Sequence, residues 1–372
     1  MDIKHLKKLR IGDLTARLPI VQGGMGVGVS LSGLAAAVAH EGGIGVIAAA
    51  GMGMLEPDGF SNYVEASKRR MRMEIQKARA RTTGILGVNI MVALSNFADM
   101  VTTSLEEGID VIFSGAGLPL NLPQFLQKEH HTKLVPIVSS GRAAVLICRR
   151  WLDRYNYLPD AFVVEGPRAG GHLGFKPEQL DQPQFSLENL VPEVIQAIRP
   201  ISEKEQKHIP IIAAGGIFTG ADIFKYMQLG AEGAQMATRF VTTHECDASI
   251  KFKEAYLAAR PEDVVIIKSP VGMPGRAVRN QFIESMESGK KKPFKCPYHC
   301  ITTCELENSP YCIALALTNA QKGNLKHGLE FAGDNVHRCT EIVSVKELMD
   351  TLVEEYEEAY QQAERDGTVL SQ

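Results

Sequence analysis

Short runs of apolar residues punctuate the first 240 positions of the chain, and most of them lead into glycine. They lie at 18–22, 44–48, 87–91, 110–114, 135–138, 161–165, 209–214 and 233–236. Their residues are apolar at consecutive positions rather than alternating, which marks strands covered on both faces. Apolar residues at helical spacing fill the intervals, at 31–41, 60–81, 96–107, 120–129, 141–152, 187–198 and 220–229. Strand then helix, repeated to eight strands, predicts an α/β fold of the (β/α)8 TIM barrel type. A doubly wound open sheet is the alternative, but it usually has fewer strands and no switch point is visible.

No eighth helix follows the eighth strand directly. Instead the texture changes, with Pro261, Pro270 and Pro274, a lysine cluster (Lys290, Lys291, Lys292, Lys295) and four closely spaced cysteines. Residues 344–363 then read as one amphipathic helix capped by Ser344, with Val345, Leu348, Leu352 and Tyr356 on one face. The expected organisation is a barrel made of residues 1–240 plus 341–372. A smaller, mostly helical domain, 241–340, is inserted between its last strand and its closing helix.

Composition narrows the function classes. The 372 residues are 45% apolar and 22% charged, an ordinary globular mixture. A net charge of −3 offers no general attraction to phosphate backbones, so no nucleic-acid partner is expected. No apolar run approaches the ~20 residues of a membrane span. The basic first ten residues lack an apolar stretch behind them, so no secretion signal is expected. Seven cysteines, an odd number, fit reduced thiols and a cytoplasmic location.

In a TIM barrel the chemistry belongs at the carboxyl ends of the strands, with phosphate commonly held by the loops after strands seven and eight. Here those loops carry Gly215 and Gly216, then Thr238 and Arg239. Glycines let backbone amides approach a phosphate, a following helix N-terminus adds partial positive charge, and Thr238 adds a hydroxyl. The first loop, Gln22-Gly23-Gly24-Met25-Gly26, suits a flat ring lying against backbone. Its glycine spacing is not that of the dinucleotide fingerprint. At the end of strand six, Glu165-Gly166-Pro167-Arg168-Ala169-Gly170-Gly171-His172 sets one histidine in a mobile glycine-rich loop, where a proton donor or acceptor belongs.

These motifs, taken in order, resemble the nitronate monooxygenase (2-nitropropane dioxygenase) family, which includes flavin-dependent enoyl-acyl carrier protein reductases. The likeness rests on Pro-Ile-x-Gln-Gly-Gly-Met at strand one, Gly-Val-Asn-Ile-Met at strand three and Gly-Gly-His-x-Gly after strand six. Ala-Gly-Gly-Ile at strand seven and Gln-Met-x-Thr-Arg-Phe at strand eight complete it. It covers 18–240 and extends loosely through Arg276-Ala277-Val278-Arg279-Asn280. The resemblance implies FMN in the barrel, its phosphate on Gly215, Gly216 and Thr238. Asn89, Gln235 and Met236 would lie near the flavin, and Gly23, Gly24 and Met25 beneath its ring. Glu165 and Gly171 join the cofactor-binding set, and His172 becomes the catalytic histidine. The implied reaction is oxidation of nitronates or nitroalkanes. The alternative is NAD(P)H-dependent reduction of an enoyl thioester, with an acyl carrier protein as partner; a homodimer also stays open. Gln22-Gly23-Gly24-Met25 leans toward the reductases, and Pro167-Arg168 departs from the Met-Glu pair often found there. From other classes, a phosphosugar isomerase or aldolase would want a lysine or a carboxylate pair at the strand ends, where only Glu165 stands. A barrel that only binds ligand would have damaged loops, and these are intact.

Two features fall outside the resemblance. Cys296, Cys300, Cys304 and Cys312 are spaced so that three sulfurs would line one face of a helix. They either pack as small hydrophobes or hold an iron–sulfur cluster or zinc. The basic stretch of Lys68, Arg69, Arg70, Arg72, Lys77, Arg79 and Arg81 is expected to be a solvated face, with an acidic carrier or a nucleotide as the other reading.

Overall fold

In the computed structural model, which describes residues 4–289, 296, 298–305 and 307–369, the chain opens on a hairpin. Its strands are β1 (Leu9–Ile11) and β2 (Leu14–Ala16), turned over Gly12 and Asp13, with Gly12 at φ 60°. The barrel follows. Strands β3 (Ile20–Gln22), β4 (Gly45–Ala48), β5 (Leu86–Met91) and β6 (Val111–Gly115) are joined through α1 (Ser32–His40), α2 (Tyr63–Arg79) and α3 (Phe97–Glu106). Next come β7 (Lys133–Val138), α4 (Gly141–Tyr155) and β8 (Phe162–Glu165). After a two-residue strand, β9 (Gly171–His172), come α5 (Leu187–Lys204), β10 (Ile211–Ala214), α6 (Gly220–Gln228) and β11 (Gly233–Met236).

The eight barrel strands pair in parallel, in the order β3-β11-β10-β8-β7-β6-β5-β4. The Val21–Ile44 bridge brings the two end strands together, so the sheet curls into a (β/α)8 barrel. Strand periodicity sorts each run into two faces. Val21, Val46, Phe113, Val135, Val163 and Ile212 point inward and meet Leu9, Ile11 and Ala16 of the hairpin, which plugs the barrel floor. Ile20, Ile47, Val88, Ile112, Leu134, Phe162 and Ile211 point outward into the layer of helices. Burial on both faces is why the runs are continuously apolar.

One predicted helix is absent. Residues 120–129 form only a single 3-10 turn, Leu122–Phe125, after which Leu126 is extended. Leu122 and Pro123 are buried, and the one turn suffices to bury them.

Beyond β11 a short helix, α7 (Thr238–Val241), leads into residues 241–340. That segment contains α8 (Ile250–Ala258), the hairpin β12 (Val264–Lys268) and β13 (Pro274–Val278), α9 (Gln281–Glu287) and α10 (Ile313–Gln321). The lysine cluster at 290–292 and 295 lies outside the described residues. Helical residues outnumber strand residues in the segment, yet it also holds a hairpin that the sequence did not announce. β13 pairs antiparallel with β9, making a three-stranded sheet. The chain closes with α11 (Val345–Arg365), capped by Ser344 and Glu347 in a reciprocal box and packed on α6 and α1. Among the described residues no helix is long and apolar enough to cross a membrane.

Candidate active site at the barrel mouth

Continuing the inward parity of each strand by two residues carries Asn89, Glu165 and Gln235 to the carboxyl-terminal rim. There they line a cavity of about 610 Å³. Gly23, Gly24, Met25, Gly171, His172, Gly215, Gly216, Met236 and Thr238 line it too, so the twelve residues expected to bind cofactor or act in catalysis share one cavity. Segment 241–340 supplies the far wall with Phe252, Tyr256, Met273, Leu317 and Phe331.

The glycines there cannot be replaced freely. A Cβ on Gly24 would lie 2.4 Å from the Asn89 Cβ, and one on Gly23 would lie 3.3 Å from the Ala237 Cβ. The first loop therefore exposes bare backbone beside Asn89. It is held from behind by buried Gln22, whose amide group donates to the Gly23 carbonyl (2.6 Å) and accepts from the Val46 amide (3.0 Å). Gly215 and Gly216 have φ of 93° and 88°, and a Cβ on Gly215 would stand 2.9 Å from the Gly166 carbonyl oxygen.

The phosphate end differs from expectation in one respect. The first amides of α6 are already taken: Phe218 and Thr219 donate to Asp222 (2.9 Å each) and Gly220 to Glu355 (2.7 Å). Those three donors are held by carboxylates rather than open to a phosphate. Among the described residues, the amides of Gly215, Gly216 and Ile217 lack a protein acceptor. Thr238 Oγ1 accepts the Gly333 amide (3.0 Å), which leaves its proton to donate. Asn335 Nδ2, buried and lining the same cavity, also has no partner. Orphaned donors are costly in a protein interior, and this set fits the phosphate of an FMN. Asn335 lies nearly a hundred residues beyond the motifs, so nothing in the sequence linked it to them.

The loop carrying His172 is not free. Gly170 lies so close to the backbone at 332–333 that a Cβ would come within 2.5 Å of the Ala332 carbonyl carbon. Gly171 and His172 pair with Arg276 and Gly275, and the Leu173 amide donates to the Pro274 carbonyl at 2.9 Å. Buried Arg276 donates through Nη1 to the carbonyls of Pro167 (2.6 Å) and Ala169 (2.7 Å). The expected mobile loop is thus the edge of a small sheet, because glycines admit close backbone contact and a guanidinium ties the carbonyls. Arg276 fell within the loosely similar stretch but had been given no role.

Two titratable groups in the cavity are pushed in opposite directions by burial. His172 is lowered to about 4, so its ring is neutral near pH 7, and Glu165 is raised to about 7. His172 Nε2 stands 2.8 Å from Ser269 Oγ, and the ring meets Phe331 edge-on at 4.9 Å between centroids. Arg168, which also lines the cavity, is largely exposed, its Nε 3.8 Å from Asp334.

Of the two features outside the resemblance, only the basic stretch lies on a helix. Residues 298–304 form turns rather than a helix, so no helical face aligns the sulfurs. All seven cysteines are free thiols. The cations of α2 are largely neutralised locally: Arg69 pairs with Asp58, Arg70 with Glu74, Arg72 with Glu106 and Arg79 with Asp110, all within 2.7 Å.

Comparison with known proteins adds the family context. A family model described as nitronate monooxygenase matches residues 7–355. A probable nitronate monooxygenase of Staphylococcus saprophyticus is 29% identical over 301 residues, covering 74% of this chain and 79% of that one. A Mycobacterium tuberculosis (3aS,4S,5R,7aS)-5-hydroxy-7a-methyl-1-oxo-octahydro-1H-indene-4-carboxyl-CoA dehydrogenase is 30% identical over 273 residues, covering 73% of this chain and 66% of that one. Among solved structures, FabK from Thermotoga maritima superposes with a TM-score of 0.72 at 29% identity, over 94% of this chain and 96% of that one. A nitroalkane oxidase from Streptomyces ansochromogenes, at 22% identity, shares the fold with a TM-score of 0.71 over 93% and 98% of the two chains.

Proposed function

The chain belongs to the nitronate monooxygenase family, and on that premise we propose that this flavin-dependent oxidoreductase uses FMN to oxidise nitronates and nitroalkanes, with His172 handling the substrate proton. The observation that carries the reading is a neutral imidazole fixed over the cavity, 2.8 Å from Ser269, opposite a wall of bare glycine backbone. FMN, when bound, supplies the redox chemistry that no side chain can. The chain's own part is to hold cofactor and substrate and to take the substrate proton. Gly23 and Gly24 leave a flat surface for a ring, with Asn89 and Gln235 as polar neighbours. Gly215, Gly216, Thr238 and Asn335 supply donors at the phosphate end. His172, already deprotonated at neutral pH, accepts the proton of a neutral nitroalkane at a ring nitrogen. A preformed nitronate needs no such step.

A second reading is favoured by the whole-chain similarity to FabK and by the indene-4-carboxyl-CoA dehydrogenase relative. In it NAD(P)H is the reductant, an enoyl thioester is reduced, and His172 helps protonate the α-carbon. The location and the acyl carrier partner follow the reaction: a cytoplasmic enzyme, with a carrier protein only in the second case.

The two are separated by His172→Ala. Loss of a general base costs typically about 10²–10⁴ in rate. The variant should lose that factor in kcat/KM with a nitroalkane and stay within about tenfold of the parent with the corresponding nitronate. An equal loss with both substrates would refute the assigned role. NAD(P)H-dependent turnover of an enoyl thioester, without nitronate turnover, would install the second reading.

A further inference from the structure

The seven cysteines divide into two groups. Cys148, Cys246 and Cys339 are buried in the core and behave as small hydrophobes. Cys296, Cys300, Cys304 and Cys312 are all free and only half-buried, so packing does not account for them.

Their placement is specific. The segment bearing them is stitched to the turn after β5: the Ser95 amide donates to the Cys300 carbonyl (3.1 Å), Ile301 bridges Leu94, and the Thr302 amide donates to the Ala93 carbonyl (2.9 Å). That turn follows Asn89 and Met91, which line the cavity. Cys312 stands half-buried at the N-cap position of α10, its side chain making no capping bond. Cys296, Cys304 and Cys312 all lie within electrostatic reach of Cys300, and Cys296 and Cys304 of Cys312. Tyr298, in the same segment, packs edge-on against Tyr63 and Phe60. Between Tyr298 and Cys300 the backbone turns through His299 at φ 43°, a conformation that a non-glycine residue holds only when its surroundings enforce it.

We propose that Cys296, Cys300, Cys304 and Cys312 are the ligands of a thiophilic metal centre at the rim of the barrel mouth, which clamps 296–312 onto the turn after β5. Among the described residues no three ligand side chains already stand close enough to hold an ion. The metal itself closes the site, and its binding energy becomes local folding energy. Four thiolates select zinc or an iron–sulfur cluster over magnesium or calcium. The two share this donor chemistry, and metal analysis distinguishes them.

The full-length protein, purified anaerobically, is analysed for zinc, iron, acid-labile sulfide and flavin in one sample. About one zinc per chain, or about four iron with four sulfide, supports the site. If the protein emerges metal-free, incubation with zinc alone should restore one equivalent. In the metal-bound protein, iodoacetamide should leave these four cysteines unlabelled, and a chelator should expose them. The Cys300→Ser/Cys304→Ser variant should lose the metal and keep its flavin. Three outcomes overturn the proposal: no stoichiometric metal before or after incubation, labelling of the four thiols regardless of chelator, or metal retained by the variant. Flavin content is read separately, so failure here leaves the barrel-mouth assignment standing.

Discussion

Arg276 offers the sharpest perturbation of the site from outside it. Its buried guanidinium donates to two carbonyls of the 166–171 loop, at 2.6 and 2.7 Å. Replacing it with methionine keeps the apolar stem and removes both bonds. Hydrogen bonds to a charged group contribute about 1.5–3 kcal/mol each. Water can re-solvate part of what is lost, so the lower figure applies, about 3 kcal/mol for the pair. At 1.4 kcal/mol per tenfold, local opening should become about a hundredfold more frequent. Hydrogen exchange followed by mass spectrometry on the peptide spanning 166–173 reads this directly, because the Leu173 amide is bonded to Pro274 across the same sheet. Arg276→Lys keeps the charge but loses the planar fork, and should fall between, at about tenfold. Because β13 also pairs with His172, kcat/KM should fall in the same order. Unchanged exchange in Arg276→Met would refute the claim that this residue holds the loop bearing His172.

Other consequences follow from the same cavity. Gly24→Ala places a Cβ against the Asn89 Cβ, a position that no flexible side-chain end can vacate, and should weaken FMN affinity at least tenfold in a fluorescence titration while the circular dichroism is preserved. Glu165 keeps its proton in the folded state up to about pH 7, whereas the unfolded chain releases it near 4.5. Stability contributed by that proton is therefore complete at pH 4 and lost progressively as pH rises to about 7. Glu165→Gln should accordingly melt higher than the parent at pH 8, with no gain at pH 4; an equal gain at both pH values would rule out ionisation as the cause. Ser269→Ala removes the partner of His172 Nε2 and should lower kcat about tenfold with FMN affinity unchanged.

The barrel was legible in the sequence because parallel strands buried on both faces leave unbroken apolar runs, and each of the eight runs is a strand. The closing helix was legible for a local reason too: Ser344 and Glu347 form a capping box ahead of a helical stripe. What the sequence concealed was either brief or remote. The floor hairpin has three-residue strands, although Gly12-Asp13 between Leu9, Ile11 and Leu14 was a usable turn signal. The apolar residues within 120–129 imitated helical spacing where one turn met the need for burial. Arg276, Ser269, Phe331 and Asn335 reach the mouth from the segment after the last strand, and only tertiary pairing of β9 with β13 brings them near His172. Glycine-rich sequence suggested mobility there. The absence of side chains instead allowed close packing.

The account rests on an FMN whose phosphate meets the donors at Gly215, Gly216, Thr238 and Asn335. A paired titration of flavin-free protein with FMN and with riboflavin, followed by flavin fluorescence, tests this most directly. The account predicts one FMN site per chain, with riboflavin bound at least about a hundredfold more weakly for want of the charge-assisted bonds to phosphate. Equal affinity for the two, or no binding of FMN, would contradict it.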